Sequence, residues 1–208
     1  MIGIIDYGMG NLGSVTNACR FLDLSARVVT RPEEAEACPA LILPGVGGFG
    51  DCMRHLREHG FAELVRDWIA EDRPLLGICL GLQVLFASSE ESPEEPGLSI
   101  LPGTVRRFAA DTGHKVPQIG WNQIEVASAG HDLFAGIPDR SFFYFVHSYY
   151  VDCAAPDVVA GRTDYGHPYT SAVVRGNLAA VQFHPEKSQE LGLRLLRNFA
   201  QRAERVGS

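Results

Sequence analysis

The sequence predicts an α/β protein: a mainly parallel, open sheet flanked by helices, with an additional, partly antiparallel β region in the C-terminal half. Three observations carry this. Short continuous apolar runs at residues 2–5, 40–43 and 75–78 alternate with helical periodicity, the pattern of strand–helix–strand units whose strands are buried on both faces. Glycine-rich stretches at 8–13, 45–50 and 77–81 join those runs to the helices that follow. From Val105 onward the helical pattern gives way to strand-like segments at 116–126, 141–151 and 170–175, separated by turns. A chain of 208 residues fits a single domain over 1–208 and can bury a substantial core.

In order, residues 2–5 form the first strand, and a loop of Asp6 to Ser14 leads into an amphipathic helix ending near Leu22. Residues 26–30 make the second strand. The run at 40–43 ends in Pro44-Gly45-Val46-Gly47-Gly48-Phe49-Gly50, followed by helices over about 51–58 and 61–71. The strand at 75–78 then delivers Gly77-Ile78-Cys79-Leu80-Gly81 and a further helical pattern. Residues 88–96, carrying Glu90, Glu91, Glu94 and Glu95, read as a solvated acidic loop whose carboxylates lack convergent partners. The aromatic run at 142–150 supplies a core wall. Another buried strand over 178–183 precedes His184-Pro185-Glu186, and a final amphipathic helix spans about 188–203, turning Leu191, Leu195 and Phe199 inward.

Composition excludes several classes. A hydrophobic share of 46% with 21% charged residues is that of a globular chain, and a net charge of −7 argues against a nucleic-acid or anionic-lipid surface. The cysteines, Cys19, Cys38, Cys52, Cys79 and Cys153, show neither a disulfide framework nor zinc-ligand spacing. Without a signal-peptide pattern or a bilayer-length apolar run, the expectation is a reduced, cytoplasmic chain with no membrane partner. No metal and no cofactor are expected.

The chemistry centres on Cys79. A nucleophile between two close glycines, at the turn from strand to helix, sits strained and partly exposed, and the helix N-terminus favours its thiolate. The alternative is a buried cysteine at a strand end. His184 is the second station: it ends a buried strand, and Glu186 can return toward its imidazole as an acidic orienter. The other histidines considered, His55, His59, His114, His131 and His167, read as solvated. In the loop at 44–50 a main-chain N–H can face a developing oxyanion. A rival clue is G-x-G-x-x-G at Gly8, Gly10 and Gly13, which would place a dinucleotide pyrophosphate on a helix N-terminus; Asp6 beside it and a second strand lacking a terminal carboxylate oppose that reading.

The residues Gly77-Ile78-Cys79-Leu80-Gly81-Leu82-Gln83, the loop Pro44-Gly45-Val46-Gly47 and Gln182-Phe183-His184-Pro185-Glu186 resemble those of the class I (triad) glutamine amidotransferases over nearly the whole chain. The resemblance implies that family's fold and a triad of Cys79, His184 and Glu186. It implies oxyanion donors at the backbone of Gly47 and Leu80, and contacts to the substrate, L-glutamine, from Gln83, Ser148 and Tyr149. Narrower features, 6–12, Gly120-Trp121-Asn122, 144–149 and Lys187-Ser188, resemble one subfamily, the glutaminase subunits of imidazole glycerol phosphate synthases of histidine biosynthesis. That likeness implies a heterodimer with a cyclase subunit of the (β/α)8-barrel kind, ammonia passing between the two, and a partner interface at Asn11, Trp121, Tyr144 and Lys187. An amidotransferase serving another synthase, a dinucleotide-binding oxidoreductase and a catalytically silent partner-binding module are the alternatives.

Overall fold

The structure is a computed structural model describing residues 1–109, 113–127 and 132–206; His131 lies outside the described residues. The first half alternates strand and helix: β1 (Ile2–Ile5), α1 (Leu12–Phe21), β2 (Ala26–Val29), β3 (Ala40–Gly45), α2 (Phe49–Glu58), α3 (Phe61–Ala70), β4 (Leu75–Cys79) and the short α4 (Leu80–Gln83). The second half holds β5 (Ser88–Ser89), β6 (Gly103–Arg107), β7 (Gln118–Val126), β8 (Ser141–His147), β9 (Tyr149–Cys153), β10 (Val159–Asp164), β11 (Pro168–Arg175), β12 (Leu178–Val181) and α5 (Gln189–Val206). No described helix is long and apolar enough to cross a membrane.

The main path of the sheet runs β2-β1-β3-β4-β12-β11-β10-β7-β8. From β2 to β12 every pairing is parallel, and from β12 to β8 every pairing is antiparallel. β12 is the hinge between the halves: last in sequence, it lies beside β4 with Val181 opposite Ile78. The residues after β4 and after β12 therefore emerge side by side.

Alternation along the central strands builds a core on each face of the sheet. Leu41 and Leu43 of β3 pack with Met53, Leu56, Val65 and Trp68 of α2 and α3, while Ile42 of β3 and Ile78 of β4 pack with Val15 and Cys19 of α1 and Leu195 and Phe199 of α5. Leu191 is only partly buried, at the edge of that second core. The helix after Cys79 is shorter than the sequence pattern suggests. After Gln83 the chain tightens, with Leu85 N–H donating to Leu82 O and Phe86 N–H to Gln83 O.

The acidic segment after β5 departs from expectation. Glu91 Oε2 accepts from Phe49 N at 2.7 Å, Ser92 Oγ from Gly50 N at 3.2 Å, and Glu95 pairs with Arg57 at 2.5 Å. α2 is preceded at its capping position by Gly48, which has no side chain with which to cap it, so the carboxylate and hydroxyl from this distant loop satisfy its first N–H groups. Glu90, Glu91 and Glu95 thus do have partners, and the segment braces the start of α2 beside Gly47 and Gly48.

Candidate active site

The C-terminal ends of β1, β3, β4 and β12 converge at one edge of the sheet, where loops of an open parallel sheet form a crevice. A cavity of about 390 Å³ opens there, lined by Gly47, Cys79, Leu80, Gln83, His184 and, among others, Glu91, His147, Ser148, Tyr149 and Lys187. The three triad candidates, both oxyanion candidates and all three substrate-contact candidates are thus drawn to a single place, Glu186 from just behind His184.

Cys79 has φ +56° and ψ −106°, a backbone that a non-glycine residue adopts only at a cost of about 1–3 kcal/mol. The glycines explain how the elbow is packed. A Cβ on Gly81 would fall on the Leu43 carbonyl oxygen, and one on Gly77 would lie 2.7 Å from the Gly81 carbonyl oxygen. Cys79 is 7% exposed, less than an elbow alone implies, because the end of β8 passes over it with the Val146 carbonyl 4.0 Å from Sγ. Gln182 Nε2 reaches Sγ at 3.7 Å. With only four residues in α4, the helix offers less dipole at Cys79 than the sequence pattern implies.

His184 Nδ1 lies 2.8 Å from Glu186 Oε1, with both side chains buried. The other Glu186 oxygen is buried without a hydrogen-bond partner, which leaves the imidazole as the carboxylate's charge partner. Burial acts to lower the His184 pKa, but hydrogen bonding and charge from Cys79 and Glu186 outweigh it and raise the value to about 9. Nε2 has no other hydrogen-bond partner, so it is left to Cys79 and the cavity. The backbone is fixed too: His184 N donates to Tyr144 O at 2.9 Å, and Ser188 Oγ donates to His184 O at 2.6 Å. A buried imidazole held by a carboxylate and set beside a cysteine is the arrangement that nucleophile-and-proton-donor chemistry requires.

The remaining cysteines do not share this setting. Cys52 is buried and pushed up to about 12, chiefly by that burial, and lies 3.2 Å from the Tyr7 hydroxyl. Tyr7 donates to Pro44 O at 2.9 Å, and so supports the loop that carries Gly47 from below. Gly47 has φ +95°, a backbone that favours glycine, while a Cβ there would meet only the movable terminal methyl of Met9, at 2.8 Å.

Several residues were missed by sequence reasoning. Glu91 lines the cavity from a loop that reads as solvated. Gln182 faces the nucleophile because β12 pairs with β4, a register that the sequence does not display. His147, inside an aromatic run, is buried in the wall of the cavity. His55 is part-buried, with Nδ1 3.1 Å from Tyr7 O. Gln83 is placed as expected, yet Nε2 is occupied by Tyr149 O at 2.9 Å and Gln182 Oε1 at 3.1 Å, which leaves its carbonyl oxygen for a ligand.

Of the interface candidates, Lys187 lines the cavity. Trp121 and Tyr144 are opposite each other on β7 and β8 with rings 6.0 Å apart, and Lys187 Nζ is 6.0 Å from the Tyr144 ring. Ile119, Trp121 and Phe142 are exposed on the same face of this pair of strands. Asn11 caps α1, its side chain accepting from Ser14 N at 3.4 Å. The glycine pattern at residues 8–13 forms no phosphate cradle: Gly8 N–H donates to Asp6 Oδ1, Gly10 packs against Pro44, and Gly13 lies inside α1. Among the described residues no group of His, Cys, Asp or Glu is arranged to hold a metal ion.

Known proteins resemble this chain in sequence and in fold. The family profile "Glutamine amidotransferase class-I" matches residues 3–203. The chain is 49% identical over 208 residues to an imidazole glycerol phosphate synthase subunit HisH from Chloroflexus aurantiacus, covering 99% of this chain and 98% of the relative. It is 48% identical over 207 residues to the subunit of the same name from Moorella thermoacetica, covering 100% of this chain and 97% of that one. A crystal structure of a glutamine amidotransferase superposes with a TM-score of 0.74 at 25% identity, covering 98% of both chains. The PurLQS structure from Thermotoga maritima shares the fold, with a TM-score of 0.76 at 16% identity over 97% of each chain. With a match across nearly its whole length and nearly half its residues shared with these relatives, the chain belongs to the class-I glutamine amidotransferase family.

Proposed function

We propose that the chain is the glutaminase subunit of an imidazole glycerol phosphate synthase, hydrolysing L-glutamine with Cys79, His184 and Glu186 and handing the ammonia to a separate cyclase subunit. The observation that carries this is the convergence of Cys79 with the buried His184–Glu186 pair in one cavity, in a chain so similar to the named subunits.

The Cys79 thiolate attacks the side-chain carboxamide carbon, and the carbonyl electrons move onto oxygen. The oxyanion faces the Gly47 and Leu80 N–H groups; one such donor contributes about 10²–10³ in rate. His184, oriented by Glu186, passes its Nε2 proton to the departing nitrogen, releasing ammonia and leaving a γ-glutamyl thioester. His184 then takes a proton from water as it attacks the thioester, and glutamate leaves as the thiolate reforms. Glu91 and the Gln83 carbonyl oxygen receive the substrate's ammonium group, while the corner at Ser148 and Tyr149 holds the remainder of its amino-acid end.

Ammonia released into water would be protonated and diluted, so enclosure at an interface has a chemical purpose. The exposed Ile119, Trp121 and Phe142, with Tyr144, Lys187 and Asn11 nearby, form the docking face for a (β/α)8-barrel cyclase in a heterodimer, and the pair works in the cytoplasm. Gly47, at a φ only glycine holds easily, lets its peptide turn between idle and productive orientations, which docking selects. Glutaminase activity is therefore low for the chain alone and rises at least about tenfold with the cyclase and its ribulosyl substrate, a bias of roughly 1.4 kcal/mol between the two orientations. A rate that is already high and does not change on adding both would contradict the coupling.

A further inference from the structure

We infer that His147 is a positioning residue of the glutamine-hydrolysing reaction, held as the Nδ1–H tautomer so that it fixes the Ser148–Tyr149 corner against which the substrate lies; this rests on the function proposed above. His147 ends β8, and its ring stands in the cavity wall without being one of the triad. Nδ1 is 2.8 Å from Tyr149 O. A carbonyl only accepts, so Nδ1 carries the proton and, in the neutral ring, Nε2 must be the acceptor.

The environment supplies what Nε2 needs. Tyr169 Oη lies 3.3 Å from it, and Gln118 Oε1 lies 3.0 Å from that hydroxyl, both side chains being buried. With the Gln118 amide in that orientation its Nε2 is buried without a partner. A 180° turn of the amide places Gln118 Nε2 on Tyr169 Oη and frees the hydroxyl proton for His147 Nε2. This one choice gives a partner to the orphaned donor and to the imidazole lone pair together. Burial lowers the His147 pKa to about 4, and the nearby His184 adds to that effect, consistent with an uncharged ring.

The consequence reaches the nucleophile. Tyr149 O also accepts from Gln83 Nε2 at 2.9 Å; Gln83 Nε2 donates to Gln182 Oε1 at 3.1 Å; and Gln182 Nε2 lies 3.7 Å from Cys79 Sγ. His147 thus sits at the head of a buried polar chain that runs from Tyr169, through the wall of the cavity, to the thiol. Losing it leaves the Tyr149 carbonyl held from one side only, and Ser148 and Tyr149 free to shift.

Glutaminase kinetics of the full chain with its cyclase test this, using L-glutamine, with co-elution of the two subunits as the check on folding. His147→Phe keeps a planar ring and removes both hydrogen bonds, and it raises KM about tenfold or more while kcat stays within about threefold. His147→Asn places an amide N–H near the Nδ1 position and brings KM back to within about threefold of wild type. A purely structural role would not give that KM-against-kcat split or that rescue. A wild-type KM in His147→Phe, or His147→Asn no better than His147→Phe, overturns the inference. Should His147→Phe fail to fold, Tyr169→Phe decides: a KM raised about threefold supports the inference, and an unchanged KM overturns it. A wild-type complex that hydrolyses no glutamine defeats the proposed function itself, whereas active wild type with an unaffected His147→Phe defeats only this inference.

Discussion

Two buried histidines within one cavity have pKa values displaced in opposite directions, and the displacement follows from their partners. His184 is raised to about 9, because the effects of Cys79 and Glu186 exceed the cost of its burial; His147 is lowered to about 4 by burial, with His184 adding to it. Between pH 6.5 and about 9 the folded chain holds a His184 proton that the unfolded chain releases, so this contribution, complete below 6.5, is lost as pH rises through about 9. Between about 4 and 6.5 the unfolded chain binds a proton that folded His147 refuses, so stability falls as pH drops across that range. From these groups, urea midpoints should peak near pH 6.5 and fall on either side, and His147→Asn should flatten the acid slope relative to wild type. An acid slope identical in the two proteins would contradict the assignment. The sequence showed His184 through its place at the end of an apolar run beside Glu186. It did not show His147, whose burial depends on Tyr169 arriving from β11.

At the scale of elements, α2 illustrates support from a distance. Its capping residue, Gly48, offers no side chain, and Glu91, forty-two positions from Phe49, accepts the Phe49 N–H while also lining the cavity. Glu91→Ala should lower stability by about 0.5–2 kcal/mol, as loss of a helix cap does, and raise KM for glutamine. Glu91→Gln keeps an acceptor and should recover most of the stability but not the KM, because the proposed contact with the substrate ammonium loses its negative charge. Urea unfolding and steady-state kinetics on both variants separate the two roles; equal stability of Glu91→Ala and wild type would remove the cap. No local pattern announces such a cap. The parallel strands were legible for the opposite reason, since burial on both faces writes a continuous apolar run into β1, β3, β4 and β12. β6, Gly-Thr-Val-Arg-Arg, and β10, which ends Arg-Thr-Asp, have no such run and were not read as strands. The aromatic run at 142–150 hid the break at Ser148 between β8 and β9, although the corner it makes is part of the cavity wall.

For the whole molecule, the decisive contact is the parallel pairing of β4 with β12, which brings Cys79 and His184, far apart in sequence, to the same edge of the sheet. Motif residues announced both stations, and topology explains why they meet. On one face of the β7–β8 pair the molecule leaves Ile119, Trp121 and Phe142 exposed, apolar surface that a second subunit would cover. The proposed release of ammonia at Cys79 for a partner's chemistry is measured by reconstituting the chain with the cyclase and following imidazole glycerol phosphate formation from the ribulosyl substrate, with glutamine or with ammonium salt as the nitrogen source. The Cys79→Ala complex should assemble, lose glutamine-dependent synthesis and keep ammonia-dependent synthesis. Glutamine-dependent synthesis at the wild-type rate in Cys79→Ala would rule out Cys79 as the source of the ammonia.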